Sequence, residues 1–274
     1  MKPALFPLFL AASLVASLSH PGPGDVKDKQ AIVKKARAAY YNLPRVGVMG
    51  YRCEVVTDWR TMLGNLVDAD ALKTAGGQQS LKALESIHFW MTVDKSGDPK
   101  FTKKTDDVEA DARMKEWTAQ LAAKQESALT RTAHELRQQL ILGMLPYPDE
   151  PFRLEENDGG YVISMTEGSS RGTIRMGRDF KIADFTTSLP DGTVTITPQY
   201  IETDQGLIMT GQRIETHTNP HDSGTESQLL EYSDFGGVRI PTKITSVIML
   251  DRAPAEKPRR MILSFQGCQL QKAN

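Results

Sequence analysis

The second half of the chain consists of short alternating apolar and polar runs separated by turn sequences. The separators are rich in glycine, proline, aspartate and asparagine, as in ENDGG, GSSRG, PDG, TDQG and DFGG, and these residue types favour tight turns. Alternation between two faces is typical of strands in an antiparallel sheet with one buried face. The sequence predicts strands near residues 152–156, 160–167, 172–177, 180–188, 193–200, 206–216, 227–233, 238–250 and 259–270.

The first half of the chain mixes helical and strand periodicity. Apolar residues recur at helical spacing in residues 29–43 and again over a long insert at about 106–145. Between these segments, VMGYRCEVVTDW alternates like a half-buried strand and SIHFWMTVDKSGDPKFTKK is typical of a hairpin. Short helices are expected around residues 60–73 and 78–86. The sequence therefore predicts an α+β fold, with a curved antiparallel sheet packed against an N-terminal helix and the long helical insert.

The two cysteines stand near opposite ends of the chain, Cys53 in the predicted first strand and Cys268 in the predicted last strand. Plain alternation would place Cys268 on the face opposite Phe265, but a bulge at Gly267 would return it to the same face. A disulfide between the two cysteines would then bring the first and last strands together. The alternative is a pair of unbonded, buried thiols, which pack as small apolar groups.

The N-terminus, MKPALFPLFLAASLVASLSHPGPG, places one lysine before an apolar run and small residues after it. This order is typical of a secretory signal peptide, so residues 1–19 are predicted to be a cleaved leader and residues 20–28 a flexible lead-in. The apolar run of about fifteen residues is shorter than a membrane helix requires, although an uncleaved anchor is the alternative. The mature chain is expected to be periplasmic, monomeric and without a stable membrane span.

The charge balance and the motifs give little support to catalysis. The formal net charge is −1, so no overall field attracts nucleic acid. The segment GSSRG matches the G-x-S-x-G pattern of hydrolases, but predicted strands on both sides place Ser170 in a hairpin turn, whereas a nucleophile elbow needs a following helix. We therefore predict no catalytic residue, and a hydrolase with an unrecognised site is the alternative.

Metal and cofactor sites are not predicted either. His217, His221 and Asp222 lie close together in ETHTNPHDSG, and such side chains can bind metals. The Asn-Pro and Ser-Gly pairs in the same segment instead favour a solvated loop. Glycine-rich phosphate loops between a strand and a helix are absent from the sequence, so no cofactor is expected.

The order of these segments resembles the lipoprotein-carrier superfamily (LolA/LolB-like), which also includes periplasmic proteins of the RseB/MucB type. The resemblance is carried by YYNLPRVGVMGYRCEVVTDW and by LLEYSDFGGVRIPTKI, which contains the G-x-x-[IL]-P pattern that recurs near the C-terminus in that superfamily. It implies that residues 29–274 form one domain, an unclosed β-barrel wrapped against helices around an apolar cavity. The insert at 106–145 is unusually long for the superfamily, whose functional residues do not align with this chain.

The resemblance also implies a function. The chain is expected to be a non-enzymatic periplasmic protein that binds a lipid or the acyl chains of a lipoprotein. The 11 methionines would suit an adaptable apolar cavity. The alternative is a protein-interaction or sensor module for an envelope protein partner, with a filled interior and an exposed apolar patch. The candidate cavity-lining residues are Tyr51, Phe89, Met91, Met165, Ile244 and Phe265.

Overall fold

A computed structural model of the chain describes residues 26–65, 67–95, 97–106, 111–147, 149–218, 223–251 and 257–273. The predicted leader, residues 1–19, lies outside the described residues, as does most of the predicted lead-in. His221 and Asp222 of the histidine-containing loop also lie outside them, so the predictions for these segments stay predictions.

Five α-helices occupy the first half of the described chain. They are α1 (Val26–Ala39), α2 (Trp59–Gly64), α3 (Ala69–Lys73), α4 (Ala75–Glu85) and α5 (Ala112–Arg137), with a 3₁₀ turn at Leu43–Val46 and a π turn at Gln138–Leu142. Helix α1 begins at Val26, slightly before the predicted start at residue 29. Within the predicted insert at 106–145, residues 112–137 form one helix, α5, about 39 Å long, which continues into the π turn.

Helices α2, α4 and α5 begin where a short polar side chain satisfies a free backbone N–H group. The carboxylate of Asp58 accepts a hydrogen bond from the N–H of Thr61 at 2.9 Å at the start of α2. At the start of α5, the carboxylate of Asp111 accepts one from the N–H of Met114 at 2.7 Å. Each is an ordinary N-cap, so the local sequence fixes where these helices start.

In the part of the chain that the structure describes, twelve antiparallel strands form one sheet. They are β1 (Val48–Thr57), β2 (Ile87–Asp94), β3 (Lys100–Thr105), β4 (Arg153–Asn157), β5 (Gly160–Glu167), β6 (Ser170–Gly177), β7 (Ile182–Leu189), β8 (Gly192–Thr203), β9 (Gly206–His217), β10 (Gly224–Asp234), β11 (Arg239–Leu250) and β12 (Arg259–Lys272). Their spatial order is β3-β2-β1-β12-β11-β10-β9-β8-β7-β6-β5-β4. Because β3 and β4 are left as edges, the sheet is the unclosed barrel that the sequence predicted.

The first and last long strands are neighbours, and a bulge brings their cysteines together. The register of β1 against β12 shifts between Arg52 and Glu54, opposite Gly267, whose φ of 56° is left-handed. A glycine in this conformation is the usual first residue of a β-bulge. Cys53 and Cys268 form a disulfide, so both the predicted bulge and the predicted bond are confirmed.

Two apolar clusters fill the space between the sheet and the helices. The larger one packs α4 and α5 against β1, β2 and β12, and its fully buried members include Tyr51, Leu84 and Leu129. The smaller cluster joins Val33 of α1 to Ile163 of β5, along with other side chains of β4, β6 and β7. Helix α1 therefore covers one end of the sheet and α5 covers the other.

Candidate functional site

A cavity of about 310 Å³ lies between the C-terminal end of α1, the π turn and the strands β8 to β10. Most of the side chains around it are aliphatic or aromatic. This volume is at the lower end of the range typical of small-molecule sites. The aliphatic lining residues are Leu140, Ile141, Leu142, Leu145, Ile182, Leu207 and Ile208, together with Met144 and Met209.

A close backbone approach brings the end of α1 against β9 and so closes one side of the cavity. The N–H of Tyr41 donates to the carbonyl oxygen of Leu207 at 2.9 Å. Gly206, just before it, has φ 116°, and a Cβ there would lie 2.7 Å from the carbonyl oxygen of Ala39. Only glycine fits this position, so the sequence requires a glycine where α1 and β9 meet.

Tyrosine is the residue type most concentrated at the cavity. Five of the seven tyrosines in the chain line it, namely Tyr40, Tyr41, Tyr147, Tyr200 and Tyr232. The rings of Tyr40 and Tyr200 meet edge to face, with centroids 5.4 Å apart. Aromatic rings in this arrangement form a rigid apolar wall, and the phenol groups add polar atoms that need partners.

The hydroxyl of Tyr40 is held by the backbone of the segment that leads into β7. It donates to the carbonyl oxygen of Phe180 at 2.6 Å and accepts from the N–H of Ile182 at 2.8 Å. Burial raises the pKa of Tyr40 to about 12 and raises the pKa of Tyr200 as well. Both side chains are therefore neutral near pH 7, and their rings form part of the cavity wall.

Two further phenols are anchored in the same way. The hydroxyl of Tyr41 accepts a hydrogen bond from the N–H of Arg239 at 2.8 Å, and the hydroxyl of Tyr232 donates to the carbonyl oxygen of Met209 at 2.8 Å. Burial raises the pKa of both phenols. Because their polar ends are turned to the backbone, these residues present their rings to the cavity.

Arg37 of α1 holds the wall formed by the end of the π turn and the following residues. Its guanidinium donates to the carbonyl oxygens of Leu142 and Leu145, and to that of Pro146 at 3.3 Å. The same group lies 4.0 Å from the ring centroid of Tyr147, within range of a cation–π interaction. Arg37 thus connects α1 to this wall with several directed bonds.

The six residues that the sequence nominated as cavity-lining lie elsewhere. Five of them, on β1, β2, β11 and β12, are buried in the larger core cluster, and Met165 packs half-buried against the smaller one. None is among the residues that line the 310 Å³ cavity, although Ile208 and Met209 belong both to the larger cluster and to the cavity wall. Contact between a ligand and these six side chains stays a prediction. They are Tyr51, Phe89, Met91, Met165, Ile244 and Phe265.

A polar cluster lies apart from this cavity, where α5 faces β9 and β10. Arg131 bridges two carboxylates, with N···O distances of 3.7 Å to both Glu135 and Glu226. Burial raises the pKa of Glu135 to about 7 and the charge of Glu226 adds to this, whereas Arg131 and Gln228 oppose it. The pKa of Glu135 is therefore close to neutral pH, but neither this residue nor its two charged partners line the tyrosine-lined cavity.

Three other features bear on the sequence predictions. Ser170 begins β6 and pairs with Glu167 of β5, so it lies in a hairpin, as predicted. Within the described ranges, no group of three or more histidine, cysteine, aspartate or glutamate side chains could hold a metal ion. Among the described helices, none has the length and apolar character required to cross a membrane.

Comparison of the chain with protein-family models, with curated proteins and with solved structures finds no match.

Proposed function

We propose that the protein is a non-enzymatic periplasmic binding protein that takes up an apolar ligand, such as an acyl chain of a lipid or lipoprotein, in the tyrosine-lined cavity. The observation that carries the proposal is the composition of the wall, in which aliphatic side chains and tyrosine rings predominate. Each methylene group that leaves water for such a wall contributes about 0.8 kcal/mol. Apolar burial is therefore the main source of affinity available at this site.

The volume of the cavity restricts what it can hold. A space of about 310 Å³ suits one short chain or one end of a longer one, and it is small for several acyl chains at once. Affinity should therefore rise with chain length and then level off once the cavity is filled. Hydrogen bonds fix the cavity wall at Tyr40 and Tyr232. Because such a wall does not expand for a longer chain, the rise in affinity with chain length should stop abruptly.

Two features that favour export from the cytoplasm support this proposal. The N-terminal segment has the order of a secretory leader. The disulfide between Cys53 and Cys268 is of a kind that persists outside the cytoplasm. A periplasmic carrier would meet lipids and lipoproteins in transit between the two membranes of the envelope.

The test is native mass spectrometry of the mature protein, purified without detergent from a periplasmic extract. We expect a bound lipid that a fluorescent fatty acid displaces. Ala38 is exposed at the cavity, and Ala31 is exposed on the same helix but does not line it. Ala38→Trp should block uptake of the fluorescent fatty acid, whereas Ala31→Trp should leave it unchanged. An apo mass, with no uptake of added lipid, would rule out the carrier function.

The second candidate is a protein-interaction or sensor module in envelope assembly or stress signalling. It is favoured by the filled interior beside β1 and β2, where Tyr51 and Met91 are fully buried. Large apolar side chains are also exposed on the sheet, at Ile201, Leu229 and Met249. A chain that takes up no lipid but is crosslinked to an envelope protein in cells would support this function instead.

A further inference from the structure

The charged residues around the cavity all have the same sign. Arg37, Arg45 and Lys95 line it, and among the residues that the structure describes no aspartate or glutamate does. The chain as a whole has a formal net charge of −1, so this concentration of positive charge is local. A cavity with apolar walls and a cationic border attracts molecules that are apolar at one end and anionic at the other.

The three cations are not equivalent, because Arg37 is already committed to the protein. Its guanidinium bonds three carbonyl oxygens and lies over the ring of Tyr147. We therefore assign Arg37 to the cavity wall. The remaining charges are those of Arg45 and Lys95, and both side chains are exposed.

Arg45 is positioned by the end of α1 and keeps donors for a ligand. Its Nη1 donates to the carbonyl oxygens of Ala38 and Tyr40 at 2.5 and 2.9 Å. A guanidinium has five N–H donors, so further donors remain on the other nitrogens. Its full positive charge also outweighs the partial negative charge of about one half at a helix C-terminus, so an anion is not repelled here.

Hydrogen bonds hold the backbone of Lys95, and its side chain can reach a ligand. Its N–H donates to the carbonyl oxygen of Met49 at 3.0 Å, and its own carbonyl oxygen accepts from Arg137 at 3.1 Å. Within the described ranges, the ammonium group of Lys95 makes no ion pair. A fixed backbone with a free ammonium group is well suited to meet an anionic head group.

We infer that the ligand is a single-chain anionic amphiphile, whose carboxylate or phosphate is bound by Arg45 and Lys95 while its chain enters the cavity. This inference rests on the proposed function, since it requires that the cavity take up an apolar chain. It adds the chemistry of the head group. Neutral and cationic amphiphiles of equal chain length should bind less tightly, because they gain only the apolar contribution.

The test compares ligands that share a twelve-carbon chain and differ at the head: dodecanoate, dodecyl phosphate, dodecanol and dodecyltrimethylammonium. Each competes with the fluorescent fatty acid for the purified protein, below the concentration at which it forms micelles. We expect both anions to bind up to about fivefold more tightly than the alcohol, the upper end of the range for an exposed charge pair, and the cation to bind least. High salt should reduce the difference by screening.

The matched variants are Lys95→Gln and Lys100→Gln. Lys100 is exposed in the same hairpin but does not line the cavity. Lys95→Gln should weaken dodecanoate binding severalfold and leave dodecanol unchanged, while Lys100→Gln should affect neither. Because the substitution is at an exposed side chain, both variants should fold as the wild type does, which thermal unfolding will verify.

The outcomes separate the inference from the function on which it rests. Equal binding of all four amphiphiles would overturn the inference and leave the carrier function standing. Binding by none of them would overturn both. Inorganic phosphate is the last ligand to be tested. If it binds as tightly as dodecyl phosphate, the site recognises a free anion, and the inference of an amphiphilic ligand is wrong. A preference for phosphate over carboxylate would point to single-chain phospholipids as the source, and the reverse to fatty acids.

Discussion

The guanidinium of Arg37 lies 4.0 Å from the ring centroid of Tyr147 and joins α1, whose Val33 belongs to the smaller apolar cluster, to the wall of the cavity. The two residues are far apart in the sequence. They meet because Arg37 donates hydrogen bonds to backbone carbonyl oxygens that lie just before Tyr147 in the chain. The cavity therefore depends on a polar anchor, although most of its surface is apolar.

Arg37→Met is expected to lower both stability and ligand affinity. The substitution keeps an apolar stem but removes the charged donor to the carbonyl oxygens of Leu142 and Leu145, although the hydroxyl of Tyr147 still donates to that of Leu142 at 3.0 Å. Hydrogen bonds to a charged group contribute about 1.5–3 kcal/mol each, so we expect a loss of about 2–3 kcal/mol in urea unfolding. Lys35→Met, at an exposed position on the same helix, is the control and should change the unfolding free energy by less than about 0.5 kcal/mol. An unchanged affinity for the fluorescent fatty acid would show that the anchor does not shape the site.

The cavity itself could not be predicted from the sequence. Tyr40 ends the pattern of an amphipathic helix, and Tyr200 and Tyr232 belong to different strands of the meander. Their meeting depends on the order of strands in the sheet and on the place where α1 crosses it. The local signals that could have drawn attention to it are the adjacent pair Tyr40 and Tyr41 and the glycine at position 206.

The disulfide is expected to stabilise the fold strongly. Cys53 and Cys268 close a loop with a sequence separation of 215, which gives about 4–5 kcal/mol in the chain-entropy model. The double variant with Cys53→Ala and Cys268→Ala should lose stability of this order in urea unfolding. Reductant should destabilise the wild type and leave the double variant unaffected. Labelling of both thiols by iodoacetamide without reductant would contradict the bond.

Gly267 is expected to tolerate substitution only at a cost. Its φ of 56° is left-handed, and no atom lies within 4 Å of a Cβ added there. The penalty is therefore one of backbone strain, about 1–2 kcal/mol for a residue with a Cβ. Gly267→Ala should lower the unfolding free energy by that amount, and Gly267→Asn by less, because asparagine enters this region more readily. Equal stability of the alanine variant would mean that the bulge relaxes.

The strands were predictable because their signals are local. Alternation and the flanking turn residues placed a strand at 160–167, and β5 is Gly160–Glu167. Pro241 within a strand pattern favours an edge or a bulge, and the register of β10 against β11 shifts between Glu231 and Tyr232, opposite that proline. Such features require no knowledge of distant residues.

The buried face of α5 was harder to predict, because it depends on residues that are distant in the sequence. Ala128 fits the helical spacing of apolar residues in this segment but is only half-buried, whereas the buried positions of that turn are Gln125 and Leu129. The Nε2 of Gln125 donates to the Oγ1 of Thr57 on β1 at 2.9 Å. A polar residue can be buried when it finds such a partner, and the partner is supplied by a strand that only the fold brings near.

The stability of the protein is expected to fall as pH rises from about 4.5 to 7, and Glu135 is one cause. Its pKa is raised to about 7 from an ordinary value of 4.5, chiefly by burial, so the folded state binds a proton that the unfolded chain has already lost. The stabilisation is fully present below pH 4.5 and is lost as pH rises through 7. A difference of this size corresponds to at most about 3 kcal/mol.

Glu135→Gln should remove this dependence, because the amide stays neutral at every pH. We expect the variant to match the wild type near pH 4.5 and to be more stable at pH 8, as measured by urea unfolding at both values. Arg131 and Glu226, which face Glu135, remain in the variant and keep their contact at 3.7 Å. Glu116→Gln, at an exposed position on α5, is the control and should retain the wild-type pH profile. If Glu135→Gln also keeps the wild-type pH profile, Glu135 is ionised in the folded protein throughout this pH range.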